Sequence, residues 1–171
     1  MISSSEKHVR HTLNDVSVSS YLTLERVQVG LQVSSKKRLL ERMVQLLMEG
    51  NPLLDRKTVV QVLSERERLG STGIGNGVAL PHGRVSGLDR PIGAFAVLDG
   101  SIDFDALDKK NVKLVFGLLV PADCTEEHLQ ILAHLARMFS DDSLRGKLER
   151  SRSSQQAYDL IVNWSAQSDT Q

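Results

Sequence analysis

The segment Lys113 to Val120, KLVFGLLV, sets the first constraint on the fold. Leu114-Val115-Phe116 and Leu118-Leu119-Val120 leave an extended chain without a polar face, so this strand belongs at the centre of a sheet. Ile92 to Leu98 reads as a second strand. Val27, Val29 and Leu31, alternating with Gln28, Gly30 and Gln32, read as a third with one buried face. Before it, Ser19 and Ser20 open a short turn carrying Tyr21, Leu22 and Leu24. Ile102 to Asp105 suggests a short edge segment ahead of the turn Asp108 to Asn111.

Helical periods alternate with these strands. Ser34 or Ser35 caps a helix with Leu40, Met43, Val44 and Leu47 inward, stopped by Gly50-Asn51-Pro52. Asp55 starts a second, with Val59, Val60 and Leu63 inward, ending near Leu69-Gly70. Thr125 caps a third, whose expected buried stripe is Leu129, Leu132, Leu135, Ala136 and Phe139. Its His128 and His134 read as surface histidines. Asp141 or Asp142 begins a fourth. Ser153 or Ser154 begins the last, with Ala157, Leu160, Ile161 and Trp164 on one side.

The 171 residues suit one domain spanning 18–165, between a Ser-rich extension at 1–17 containing His8 and His11 and a frayed tail at 166–171. Lys plus Arg and Asp plus Glu both number 21, which argues against a nucleic-acid partner. A single cysteine, Cys124, excludes an internal disulfide framework and reads as an incidental thiol. No apolar run approaches the ~18 residues of a membrane span, and residues 1–11 lack a signal-peptide core. A soluble cytoplasmic protein without membrane insertion is the expectation. Lys36, Lys37 and Arg38 fall in a first helical turn, where the dipole disfavours them. They read as a solvated face or as a recognition patch for an acidic partner.

The chemistry concentrates in Ser64 to Val85, SERERLGSTGIGNGVALPHGRV. Gly70, Gly73, Gly75 and Gly77 predict a loop whose amides converge on an anion, with Ser71, Thr72 and Asn76 as further donors and Arg66 and Arg68 upstream. Val78-Ala79-Leu80 forms a short apolar segment. His82 then leaves it between a proline and a glycine that lets another molecule approach. The residues alone leave three readings open. The loop binds a phosphorylated ligand with His82 as acid or base; or His82 itself accepts a phosphoryl group; or the glycines are a tight connection beside an ordinary histidine. Asp103 and Asp105 read as solvent-facing turn residues.

Several chemistries fit poorly. The glycines lack the G-x-G-x-x-G spacing of a dinucleotide loop, and no G-K-[ST] closes a Walker loop. Zinc on His82 and His128 would need Cys124 or Asp123 as a third ligand. A hydrolase with Ser71 as nucleophile lacks a G-x-S-x-G elbow. Neither metal nor cofactor is expected.

GSTGIGNGVALPHG resembles the phosphorylation motif of the IIA proteins of the bacterial phosphoenolpyruvate-dependent phosphotransferase system, mannitol/fructose class, and among them the free-standing nitrogen-regulatory IIA proteins most. The resemblance runs from about Ser20 to Trp164. It implies an α/β fold with a central mixed sheet flanked by helices on both sides. It implies that Nε2 of His82 accepts the phosphoryl group, beside Arg66 and the second histidine His128, with the Gly70–Gly77 loop as cradle. The implied donor is an HPr-like phosphocarrier protein (NPr), and the implied activity is that of a phosphohistidine carrier rather than a turnover enzyme on small molecules. Nitrogen-regulatory members act on targets, potassium-transport components among them; sugar-specific members pass the group to a IIB domain. No IIB, IIC or HPr segment accompanies the motif, so the regulatory role is the expectation and the sugar-specific one its alternative.

Overall fold

The computed structural model describes residues 16–123 and 125–165. After a 3-10 turn at Val18–Ser20 come β1 (Leu22–Leu31), α1 (Lys36–Met48), α2 (Arg56–Arg68), β2 (Gly73–Gly75), β3 (Val78–Ala79) and β4 (His82–Val85). β5 (Ile92–Ile102) and β6 (Val112–Pro121) follow, then α3 (Thr125–Phe139), α4 (Asp142–Glu149) and α5 (Ser154–Val162).

The six strands make one mixed sheet in the order β1-β5-β6-β3-β2, with β4 pairing β6 beyond β3. β5 runs antiparallel to β6; β1 is parallel to β5, and β3 and β4 are parallel to β6. The apolar run is therefore the central strand that its sequence requires. Leu114, Phe116, Leu118 and Val120 enter one core, and Val115 and Leu119 the other. α1 and α2 cover the second core, while α3, α4 and α5 cover the first, giving the expected helices on both sides of the sheet. Phe95, Phe116 and Phe139 cluster in the first core with ring centroids 5.9–6.2 Å apart. Each such pair contributes about 1 kcal/mol beyond its burial.

The caps resolve the sequence ambiguities. Ser35 accepts from the Arg38 amide, Asp55 from Thr58, Asp141 from Ser143 and Leu144, and Ser153 from Gln156. The cap expected of Thr125 and the thiol of Cys124 lie outside the described side chains, as do residues 1–15 and 166–171. Among the described residues no helix is long and apolar enough to cross a membrane.

Several readings need correction. Leu22 and Leu24 belong to β1 rather than to a turn, and Ile102 closes β5 rather than opening a separate edge segment. On α3 the buried line is His128, Ile131, Leu135, Met138 and Phe139, whereas Leu129 and Ala136 are exposed. His134 is half-buried and packs edge-on to Trp164, with centroids 5.5 Å apart. Finally, the glycine stretch is not wholly loop: Gly73–Gly75 pairs antiparallel with Val78–Ala79. Asn76 and Gly77, at φ 57° and 78°, make the two-residue turn that right-twisted hairpins favour.

Candidate functional site

His82 owes its position to an interruption. β3 and β4 lie end to end along β6, Ala79 opposite Val115 and His82 opposite Leu118. Between them Pro81 has no amide hydrogen to donate. The Leu80 amide turns away to the Thr72 carbonyl, at 2.9 Å, and the Leu118 amide bonds the Pro81 carbonyl at 3.0 Å. The Leu80 carbonyl is instead met by Nδ1 of His82, at 2.7 Å. A carbonyl oxygen only accepts, so Nδ1 carries the proton and the neutral ring keeps its lone pair on Nε2. His82 is half-buried, the first residue of a strand whose partner among the described residues is β6 alone. It sits inside strand geometry, not after it.

Gly83 serves a different purpose from the one its sequence position suggests. It is buried, and a Cβ there would clash with Cγ1 of Val62. The close approach it permits is that of α2, from within the chain. That contact brings Arg66, in the last turn of α2, to the β4 edge. The Arg66 guanidinium donates to the Gly70 carbonyl at 2.9 Å, which also ties down the end of the helix. From the other side, α3 supplies His128, whose ring centroid lies 5.3 Å from that of His82 at an interplanar angle of 50°. His128 is 6% exposed, and its Nδ1 has no hydrogen-bond partner.

Together these groups line an open cleft of about 660 Å³ between the end of α2 and the start of α3. His82, His128 and Arg66, the residues that the family resemblance singles out, all meet there, and Arg68 and Arg84 line it too. Arg84 was legible only to a reader who placed His82 inside a strand, since two residues on in β4 lies the same face. Arg68 needed no function to explain it at a helix C-terminus.

The glycine hairpin stands beside this cleft and does not line it. The Ser71 hydroxyl donates to the Phe104 carbonyl at 2.8 Å and accepts from the Gly73 amide at 3.1 Å. The Thr72 amide and hydroxyl both go to the buried Glu67 carboxylate, at 3.0 and 2.6 Å, and the Asn76 amide goes to Asp108 at 2.9 Å. The other carboxylate contact of Glu67 is Lys36 Nζ at 2.8 Å. The Ser71 and Thr72 hydroxyls expected to cradle an anion, with the Thr72 and Asn76 main-chain amides, thus hold the hairpin to α2 and the 104–108 loop.

The chain matches the family model described as "Phosphoenolpyruvate-dependent sugar phosphotransferase system, EIIA 2" over residues 20–164. It is 41% identical over 148 residues to the "Nitrogen regulatory protein" of Pseudomonas aeruginosa, covering 86% of this chain and 96% of that protein. The crystal structure of nitrogen regulatory protein IIA-Ntr from Neisseria meningitidis superposes with a TM-score of 0.79 at 41% identity, covering 84% of this chain and 98% of that one. The chain belongs to the EIIA 2 family. A further relative, the "PTS system fructose-specific EIIA component" of Haloferax volcanii, is 35% identical over 145 residues, covering 85% of this chain and 94% of that protein. Membership of this family implies a phosphoryl-transfer partner.

The site of this IIA protein favours uncharged rings. Burial lowers the proton affinity of His82; the Leu80 carbonyl opposes that, Arg66 adds to it, and Glu67 opposes it. His128 is pushed down to about 4, first by burial and then by His82, Arg84 and Arg66. Around neutral pH the cleft therefore holds two neutral imidazoles, three guanidiniums and the Glu65 carboxylate, a net positive pattern open to an anion.

Proposed function

We propose that His82 Nε2 is a phosphoryl acceptor and donor, taking the group from a phosphohistidine of an HPr-like carrier such as NPr. The N–P bond of the donor breaks as the new one forms on Nε2, so imidazole replaces imidazole and no proton need leave. The exchange is then near thermoneutral and reversible. The observation that carries this reading is the hydrogen bond from His82 Nδ1 to Leu80, which leaves an unprotonated Nε2 in an arginine-lined cleft. Arg66 offers a fork-shaped donor to the transferring oxygens, and neutral His128 offers a ring N–H, groups that act by stabilising charge in place. The Gly70–Gly77 hairpin contributes by holding the strand that carries His82, because the Ser71 and Thr72 hydroxyls and the Asn76 main-chain amide have partners within the chain.

The phosphoryl group adds about two negative charges to this surface, and the regulatory role follows: partners, potassium-transport components among them, bind according to the charge at His82. The resemblance to nitrogen regulatory proteins supports this role. The similarity to a fructose-specific EIIA component keeps a second reading, in which His82 hands its group to a IIB domain for sugar transport.

Incubation with an isotopically phosphorylated HPr-like carrier tests the proposal. Acid-labile label should enter the chain with little free phosphate released, and His82→Ala should take up none. Full labelling of that variant overturns the assignment. Transfer onward to a IIB domain at a rate matching uptake would select the sugar-specific role.

A further inference from the structure

A second depression lies on the opposite flank of α2, in the groove between α1 and α2, with a volume of about 410 Å³. Its floor is apolar: Leu40 and Val60 are half-buried there above Val44 and Leu63. Its rim is charged, and the charges do not cancel. Lys36 is paired with Glu67 at 2.8 Å, and Glu41 with Arg38 at 3.1 Å. Lys37 and Arg68 make no ion pair among the described residues. An apolar trough edged by two uncompensated cations fits an amphipathic helix with acidic flanks. Arg68 also lines the His82 cleft, and it is the one residue common to both depressions.

We propose that the α1–α2 groove docks an acidic amphipathic segment of a partner protein, and that Arg68 couples this docking to the charge on His82. The coupling rests on the phosphocarrier reading above; the docking does not. When His82 carries a phosphoryl group, the flexible Arg68 side chain is drawn to the cleft, and the groove loses one of its two uncompensated cations. The acidic segment then binds more weakly. Lys36 and Lys37, side by side in the first turn of α1, thus have separate duties: one holds Glu67, the other faces the partner.

The test uses the full chain and a fluorescein-labelled helical peptide with leucines at i, i+3 and i+4 and glutamates on its flanks, beside a twin whose glutamates are lysines. Fluorescence anisotropy should show the acidic peptide binding at least about tenfold tighter than its twin. Leu40→Glu should abolish binding, and Lys37→Glu combined with Arg68→Glu should reverse the preference, both with a thermal unfolding scan to verify folding. Phosphorylation of His82 should weaken the acidic peptide about fivefold or more, and Arg68→Gln should remove that difference. Equal binding of the two peptides overturns the docking, and so does a groove filled by a second copy of the chain, seen as concentration-dependent dimerisation that Leu40→Glu breaks. A phosphorylation effect undiminished in Arg68→Gln overturns the coupling. Peptide binding to the unphosphorylated chain needs no transfer, so a failure to label His82 strikes the carrier reading alone.

Discussion

Gly83 and Val62 are packed so closely that the strand bearing His82 and the helix bearing Arg66 tolerate no side-chain carbon between them. Gly83→Ala should therefore push α2 off the β4 edge. The expected cost is about 2 kcal/mol, as for other overpacked sites, seen as a lower urea midpoint together with slower phosphoryl uptake. Val62→Ala in the same chain should restore both, because it removes the methyl group that the new carbon strikes. A double variant as slow as the single one would show that the glycine acts through something other than this contact.

The pH dependence of uptake should follow the depressed proton affinity of His82. The acceptor is the neutral ring, and burial puts its titration below the ordinary histidine value of 6.5. Acidification from pH 8 to 6.5 should consequently leave the rate nearly unchanged, with the fall coming at lower pH. In an NMR titration, Arg66→Gln should raise the midpoint of the His82 ring, since one cation opposing protonation is gone. A midpoint unchanged by that variant would mean that Arg66 does not act on the ring.

His128 should make the fold acid-sensitive in a defined window. Its folded-state value is pushed from 6.5 to about 4, so in the unfolded chain it binds a proton at pH values where the folded chain refuses it. The corresponding stability is fully present above about pH 6.5 and is lost as pH falls toward 4. Urea unfolding measured across this range should show stability falling with acidity, with a shallower slope in His128→Asn. Parallel slopes in the two proteins would contradict the burial of an uncharged ring.

Glu67 is expected to matter more for stability than any exposed carboxylate. It is buried, it holds both donors of Thr72, and it pairs with Lys36. Glu67→Ala would leave these donors and a half-buried ammonium without their acceptor, at about 3 kcal/mol. Calorimetry should register this loss, and amide hydrogen exchange should quicken at Gly73 to Ala79, because Thr72 leads into that hairpin.

Local signals carried much of this fold. The apolar run at 114–120 sits at the sheet centre, and four side-chain caps start helices where Ser35, Asp55, Asp141 and Ser153 stand. α3 was harder, because it has apolar residues on more than one face: Leu129 and Ala136 compete with Ile131, Leu135 and Met138. The aromatic cluster of the sheet, assembled from distant residues, chooses between them, and helical periodicity alone cannot. His128 becomes buried through the same choice. The roles of the glycine-rich stretch were obscured for a related reason. The partners of Ser71, Thr72 and Asn76 are Phe104, Glu67 and Asp108, of which two lie some thirty residues away, and only tertiary structure reveals that these donors are engaged. For Gly83, the neighbouring body turned out to be a helix of its own chain.

The gap between β3 and β4 carries one more implication. Leu80 turns its amide to Thr72 and away from β6, so its oxygen stays outside the β6 ladder and is met by the imidazole. A flaw in the ladder thus chooses which ring nitrogen is dressed and which is bare. Any change that turned this oxygen to another donor would let the ring swivel and exchange tautomers, blunting the nucleophile while leaving every side chain in the cleft chemically intact.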